Sequence, residues 1–303
     1  MHYGDHYCDR QRDPSDAHPE DSHEPVSSEE SALQLLSERS CFVLTGAGMS
    51  TDSGIPDYRG PESIKRKRSP IQHKEFVGQA EARRRYWARS SIGWPPVRDA
   101  APNIGHFALA DIERRGGLSG IVTQNVDGLH QAAGSRDVVE LHGSLYHVRC
   151  LSCGRHESRE SVQQRLFRLN PEWSARSGEI APDGDVELPE GLEQSFRVPS
   201  CRHCGGVLKP DVVFFGDSVP RVRVEEAWRR YAGADCVFVV GSSLTVFSGY
   251  RFVKAAAKEG KPVIIVNDGP TRGDAEASVK IDGRIAEVLP RLVRGLLSAG
   301  ERY

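Results

Sequence analysis

Long hydrophobic runs are missing from this chain. No apolar stretch approaches the roughly 20 residues that cross a bilayer, which excludes a helical membrane protein. A surplus of one charge is missing too: 40 Lys and Arg face 42 Asp and Glu, a formal net charge of −2, which argues against wholesale nucleic-acid binding. The N-terminus has neither the charged-then-apolar layout of a signal peptide nor the basic character of a transit peptide. Asp5, Asp9, Asp13, Asp16, Glu20 and Asp21 make it acidic. A cytoplasmic, reducing location is the expectation. Residues 1–28 also have almost no aliphatics, which predicts a disordered acidic tail whose His2, His6, His18 and His23 are solvated. No internal repeat is visible.

What is present suits an ordinary soluble protein: 303 residues, 38% hydrophobic and 27% charged. A chain of that size buries roughly 75% of its unfolded surface and needs no disulfide staples. Cys41–Leu44, Ile121–Thr123, Asp235–Val240 and Lys261–Val266 read as buried strands, preceded by a short helix at Glu29–Glu38 and separated by helix-length text such as Arg251–Lys258. That alternation predicts an α/β fold, a doubly wound parallel, Rossmann-like sheet, spread over 29–60, 106–145 and 212–303. The strands end in TGAG, TQN, GSS and ND, and in such sheets the ligand crevice lies at those carboxyl ends. Two insertions are read as a smaller domain: a basic helical module at 61–105 and a module at 146–211 that carries two cysteine pairs.

Five motifs carry chemistry. TGAGMSTDSGIPDYRG at 45–60 sets Gly46, Ala47 and Gly48 after a strand, where glycines admit a pyrophosphate. The full dinucleotide fingerprint needs glycine where Thr51 stands, so a plain tight turn stays open. Asp57, Tyr58 and Arg59 add a carboxylate, an aromatic plate and a permanent cation, or simply a capped surface ion pair. CLSC at 150–153 and CRHC at 201–204 give four thiolates, Cys150, Cys153, Cys201 and Cys204, suited to one closed tetrahedral zinc. Cys8, Cys41 and Cys236 stand alone. TQNVDGLH at 123–130, followed by LHG at 141–143, puts Gln124, Asn125 and Asp127 where they can grip a carboxamide, with His142 as a general base near neutral pH. His130 is read as packing or capping. In KPDVVFFGDSVP at 209–220, Val212 to Phe215 lines a tunnel or forms an ordinary core strand. KRKR at 65–68 binds phosphates or is a solvated loop.

In this order the motifs resemble those of sirtuins, the NAD-dependent protein deacylases. GSSLTVFSGYRF (241–252) and VNDGPTR (266–272) add to the likeness, which runs from about Ser31 to Leu297. GIPDYR, RYWAR (85–89), GPTR and the long cysteine spacer resemble class II members, a bacterial and mitochondrial group that includes a lipoamidase type. The resemblance implies NAD as co-substrate, one structural zinc, and acyl-lysine proteins or peptides as substrates, with neither nucleic acid nor membrane and a monomeric enzyme. It implies that Gly46, Ala47 and Gly48 hold the pyrophosphate and that Asp57, Tyr58 and Arg59 form a mobile cofactor loop. Gln124 and Asn125 would meet the nicotinamide-side ribose and Asp127 the carboxamide, with Val126 also at the cofactor. Gly241, Ser242 and Ser243 would meet phosphates and ribose, Asn267, Asp268 and Gly269 the adenosine ribose, and Ile285 the adenine. Val213, Phe214 and Phe215 would line the acyl-lysine tunnel. Gly216, Asp217 and Val246 to Ser248 would flank the peptide.

The implied reaction expels nicotinamide, joins the acyl oxygen to the ribose, and uses His142 to deprotonate a ribose hydroxyl. It yields free lysine, nicotinamide and O-acyl-ADP-ribose. Tyr86 and Arg89 are spaced like the pair that reads acidic acyl chains in desuccinylase-type sirtuins, although packing within the helical module is the other reading. Three rival functions stay open: mono-ADP-ribosyl transfer to protein, a non-catalytic zinc-ribbon binding module, and a hydride-transferring dehydrogenase. The second leaves Asn125, Asp127 and His142 without a use, and the incomplete fingerprint disfavours the third.

Overall fold

The structure is a computed structural model and describes residues 27–58, 70–178, 181, 183–186, 188, 189 and 191–300. The tail through residue 26, with Cys8, as well as Arg59 and the basic run at 65–68, lies outside the described residues.

The chain enters through α1 (Ser28–Glu38), started by a capping box in which Ser27 Oγ accepts from the Glu30 amide (3.2 Å) and the Ser27 amide donates to Glu30 Oε2 (2.9 Å). β1 (Cys41–Thr45) follows, buried at every residue. Helices α2 (His73–Gly78), α3 (Ala80–Asp99) and α4 (Ile104–Arg114) lead to β2 (Leu118–Thr123), α5 (Leu129–Ala132) and β3 (Val138–Glu140). Next come β4 (Gly143–Cys150), β5 (His156–Ser158), α6 (Arg159–Leu169) and β6 (Leu208–Val212). The chain then returns through α7 (Arg221–Ala232), β7 (Cys236–Val240), α8 (Phe247–Glu259), β8 (Val263–Asn267), β9 (Val279–Asp282) and α9 (Ile285–Gly300).

Six strands form one parallel sheet in the order β3-β2-β1-β7-β8-β9. Counted along the sheet's own strands this is the doubly wound order 3-2-1-4-5-6, with its switch point between β1 and β7. The central strands read as continuous apolar runs because both faces are covered. Val43, Ile121, Phe238 and Ile264 pack against helices on one face, while Phe42, Leu44, Val122, Val237 and Val239 do so on the other. The short edge strands β3 and β9 were not foreseen, since three or four residues carry too little pattern.

A second core joins α2, α3 and α6 to the antiparallel sheet β5-β4-β6. Arg159 is its anchor. The guanidinium is buried, sits 5.4 and 5.2 Å from the Trp87 and Trp94 ring centres, and donates to Gln163 Oε1 (2.6 Å) and Ser90 O (2.9 Å). Among the described residues no helix is long and apolar enough to cross a membrane.

One expectation is corrected. Cys41 and Cys236 do not stand alone: the parallel register of β1 and β7 sets them opposite each other, and a disulfide joins them. Their separation of 195 residues hid this from the sequence, because only strand pairing brings them together.

Two histidines lie sealed beneath the strand ends. His106 and His130 are 0% and 1% exposed, with rings 4.9 Å apart. His130 Nε2 pairs with Thr45 Oγ1 at 2.9 Å, so this histidine packs, as its sequence context suggested. Burial lowers the pKa of His106 to about 4 and that of His130, with help from its neighbour, to about 3. Unfolded histidine titrates near 6.5. Both are therefore neutral in the fold and charged in the acid-unfolded chain. Their contribution is intact above about pH 6.5 and is lost as pH falls towards the folded values, by about 1.4 kcal/mol per pH unit for each. Urea midpoints measured from pH 7.5 to 5 should fall steeply, and His130→Gln should flatten that slope.

Candidate active site

The turns after β1, β2, β7 and β8 meet at one cleft. At the switch point the Gly48 amide donates to Gly241 O (2.9 Å) and the Gly46 amide to Val240 O (3.2 Å). Gly241 has φ +61°, and a side chain there would strike the Met49 and Gly48 backbone, so the position needs glycine. A Cβ on Gly46 would lie 2.7 Å from that of Ser242. Backbone thus meets backbone, the bare surface that a pyrophosphate requires.

Gln124 and Asn125, just past β2, tie these turns together. Asn125 Nδ2 donates to Gly46 O and Ser50 Oγ, both at 3.0 Å. Gln124 Nε2 donates to Ser242 Oγ (2.8 Å) and Thr45 O (3.3 Å). Both amide nitrogens, read from sequence as a grip on ligand, are thus engaged within the protein. Asp127 is 5% exposed and accepts from Ser50 Oγ (2.7 Å) and the Leu129 amide (3.0 Å). Burial raises its pKa, and those two hydrogen bonds oppose the rise. Ser50 bridges Asn125 and Asp127. Its role was missed because it sat in a motif read for its glycines.

His142 follows β3. Its Nδ1 lies 3.0 Å from Gln124 O and its Nε2 2.8 Å from Ser248 Oγ. A carbonyl only accepts, so Nδ1 carries the hydrogen and Nε2 the lone pair. Burial lowers the imidazole to about 4, opposed by the Gln124 hydrogen bond and reinforced by the Arg251 and Arg223 cations. The ring is a neutral base across the ordinary pH range.

The Val213 amide donates to His142 O (2.8 Å), which brings the aromatic run beside the base. β6 stops at Val212, so the run is not a simple core strand. Val213 and Phe214 are half-buried and Phe215 is 40% exposed, with Tyr58 edge-on at 6.0 Å. Gly216 follows with φ +77°. Phe214 packs on Phe76 (5.1 Å) and Tyr86 (5.2 Å). Behind it lies Lys209, 1% exposed, with Nζ 4.3 Å from the Phe214 ring centre and a hydrogen bond to Val212 O. Burial lowers this ammonium to about 8 although Asp217 stands 3.7 Å away. In the sequence Lys209 has no pattern of its own, and the aromatics beside it carry the local signal.

At the other end of the cleft, the Arg272 amide donates to Ser243 O (2.9 Å). Asn267 Nδ2 donates to Asp268 O (3.2 Å) and Gly269 O (3.0 Å), while Asp268 is exposed. Ile285 opens α9 with its side chain buried in the core beside Met49. Ala47 and Asp57 are half-buried, and so is Val126, which packs against the core of Trp94 and Leu145. One turn along α3 from Tyr86, Arg89 Nε donates to Val186 O (2.7 Å) and lies 3.1 Å from Asp185 Oδ2.

In the second core, the Sγ atoms of Cys150, Cys153, Cys201 and Cys204 all lie within 4.8 Å of one another. Cys150–Cys204 and Cys153–Cys201 are 3.5 and 3.9 Å apart. Zinc–sulfur bonds of ~2.3 Å in a tetrahedron place sulfurs about 3.8 Å apart, so these four fit zinc.

Fold and cleft together define a nucleotide-binding enzyme scaffold with a neutral imidazole base, His142, in its cleft. Residues 46–248 match the Sir2 family. A bovine (Bos taurus) relative, "NAD-dependent protein lipoamidase sirtuin-4, mitochondrial", is 52% identical over 84% of this chain and 82% of its own. An "NAD-dependent protein deacetylase" of Xanthomonas axonopodis pv. citri is 51% identical over 82% of this chain and 85% of its own. Among solved structures, one described under "Structural Basis for the Mechanism and Regulation of Sir2 Enzymes" superposes with TM-score 0.71 at 33% identity, covering 90% of this chain and 98% of the other. A Sir2 complex with a deacetylated peptide and 3′-O-acetyl-ADP-ribose gives 0.70 at 32% identity over 89% and 98%. The chain belongs to the Sir2 family, and its co-substrate is NAD.

The purified protein should carry one zinc per chain by elemental analysis. Stripping it with a chelator, or Cys153→Ser, should lower the melting temperature, because structural zinc contributes on the order of 10 kcal/mol in small modules. An unchanged melting temperature after verified zinc loss would contradict this.

Proposed function

We propose that this protein removes acyl groups from protein lysines with NAD as co-substrate, releasing nicotinamide and O-acyl-ADP-ribose. The observation that carries the reading is the His142 imidazole. It is neutral, with its tautomer fixed by Gln124 O and its lone pair on Nε2, and it stands between the Gln124–Asp127 cluster and the Val213–Phe215 run. As general base, the imidazole is the final acceptor when a substrate ribose hydroxyl is deprotonated. Gly46–Gly48 and Gly241–Ser243 cradle the phosphates, Asp127 receives the carboxamide, and Val213, Phe214 and Phe215 admit the acyl-lysine. The four-cysteine zinc holds the small domain. The lipoamidase and deacetylase names of the relatives, and a solved Sir2 complex with an acetylated ADP-ribose, support this over ADP-ribosyl transfer to protein.

The acyl group is uncharged in this reading. Arg89, the cation that an acidic acyl chain would need, is answered inside the protein by Asp185. Both side chains are at most 11% exposed, so the pair is held in a low-dielectric site where a second carboxylate would be repelled.

Base catalysis contributes about 10²–10⁴-fold, so His142→Ala should lose at least ~10²-fold in turnover with fold and zinc content unchanged. The wild-type kcat/KM profile should stay flat on its acid side from pH 8 to about 6, because the base form persists down to about pH 4. On an acyl-peptide panel read by mass spectrometry, acetyl or longer apolar chains should exceed succinyl. Asp185→Asn should raise succinyl turnover relative to acetyl, and Arg89→Met should not.

A further inference from the structure

Ser248 was expected only to flank the substrate peptide. Its hydroxyl instead occupies the base. The neutral imidazole has a single acceptor, Nε2, and Ser248 Oγ lies 2.8 Å from it. Since Nδ1–H already faces Gln124 O, the hydrogen in the Ser248–His142 contact belongs to the serine, and Ser248 donates.

The serine is held there from behind. It is the second residue of α8, a helix of 13 residues whose Phe252, Val253 and Ala256 are buried in the core. The next residue, Gly249, packs so tightly on Gln124 that a Cβ would lie 2.7 Å from Gln124 Oε1. Gln124 therefore fixes both partners: its backbone carbonyl orients the imidazole, and its side chain abuts the helix turn that presents the hydroxyl. A hydroxyl is one donor with two acceptor lone pairs, so Ser248 can receive a second hydrogen bond while it gives its own.

We propose that Ser248 is the proton relay between the substrate ribose hydroxyl and His142, an inference that rests on the deacylase reading above. The ribose O–H bond breaks as a new O–H bond forms on Ser248 Oγ. In the same step the original Ser248 O–H bond breaks and an N–H bond forms on His142 Nε2. One proton reaches the imidazole, Ser248 is regenerated, and no other reactant is required. The relay acts after nicotinamide departs, so it has no part in breaking the glycosidic bond.

That order supplies the test. In ligand-free protein, imidazole nitrogen NMR should show His142 with Nδ1 protonated and Nε2 as a hydrogen-bonded acceptor. In Ser248→Ala the Nε2 signal should move to that of an unbonded acceptor with the tautomer kept. With NAD and acyl-lysine peptide, Ser248→Ala should exchange labelled nicotinamide within about threefold of wild type while product formation falls at least ~10-fold at unchanged KM, a share of the 10²–10⁴-fold given by base catalysis. Ser248→Thr should restore most of it. Full product formation in Ser248→Ala beside an inactive His142→Ala would overturn the relay, since the ribose would then reach Nε2 directly. Equal losses of exchange and product formation would overturn it as well, by making Ser248 structural. Absence of nicotinamide exchange in the wild type would count against the deacylase reading itself, whereas an unshifted Nε2 signal in Ser248→Ala would sink the relay alone.

Discussion

The site rests on the contact between two turns, Gly46–Gly48 after β1 and Gly241–Ser242 after β7. With glycine at these places the strand ends close to backbone distance, Gly48 amide to Gly241 carbonyl at 2.9 Å. Everything polar in the cleft is referenced to that contact. Asn125 reaches Gly46, Gln124 reaches Ser242, and Ser50 ties Asn125 to Asp127. Gln124 in turn sets the His142 tautomer. A bulkier residue at Gly241 would push the turns apart and disturb the whole chain of bonds, not merely one phosphate contact.

Much of this was legible in the sequence because parallel strands buried on both faces announce themselves as unbroken apolar runs. Polar or glycine residues at their ends then mark the crevice. Cys41–Leu44 and Lys261–Val266 point to strands β1 and β8, and the structure adds one short edge strand on either side, β3 and β9. The Sir2 motifs fall on the loops that meet at the cleft. What they did not give is which atoms are already committed inside the protein. Asn125 and Gln124 were read as hands for a ligand, yet their nitrogens hold neighbouring turns. The sequence leaves Arg89 between reading an acidic acyl chain and packing in the helical module, and Asp185, 96 positions further on in a loop of little pattern, pairs with it. Pairings of this kind depend on tertiary proximity, as does the Cys41–Cys236 bond, and no local spacing encodes them.

The small domain solves a different physical problem. Its sheet has three strands and its insertion carries many charges, so hydrophobic burial is supplemented by two polar anchors. One is the cysteine tetrad that fits zinc. The other is Arg159, clamped between Trp87 and Trp94 and hydrogen-bonded to α3 and α6. The domain meets the cleft through Phe214, which packs on Tyr86 and Phe76 of that core.

Helix α8 has two duties at once. Its first turn offers Ser248 to the imidazole, while further along Phe252 is wedged against Phe42, Trp228 and Tyr231 in the interior. Trimming that distant aromatic would let the helix settle by a fraction of an ångström. Such slack is large for a proton hop, so lost packing in the greasy interior, itself worth about 3–5 kcal/mol to the fold, would also register as faulty chemistry at the rim.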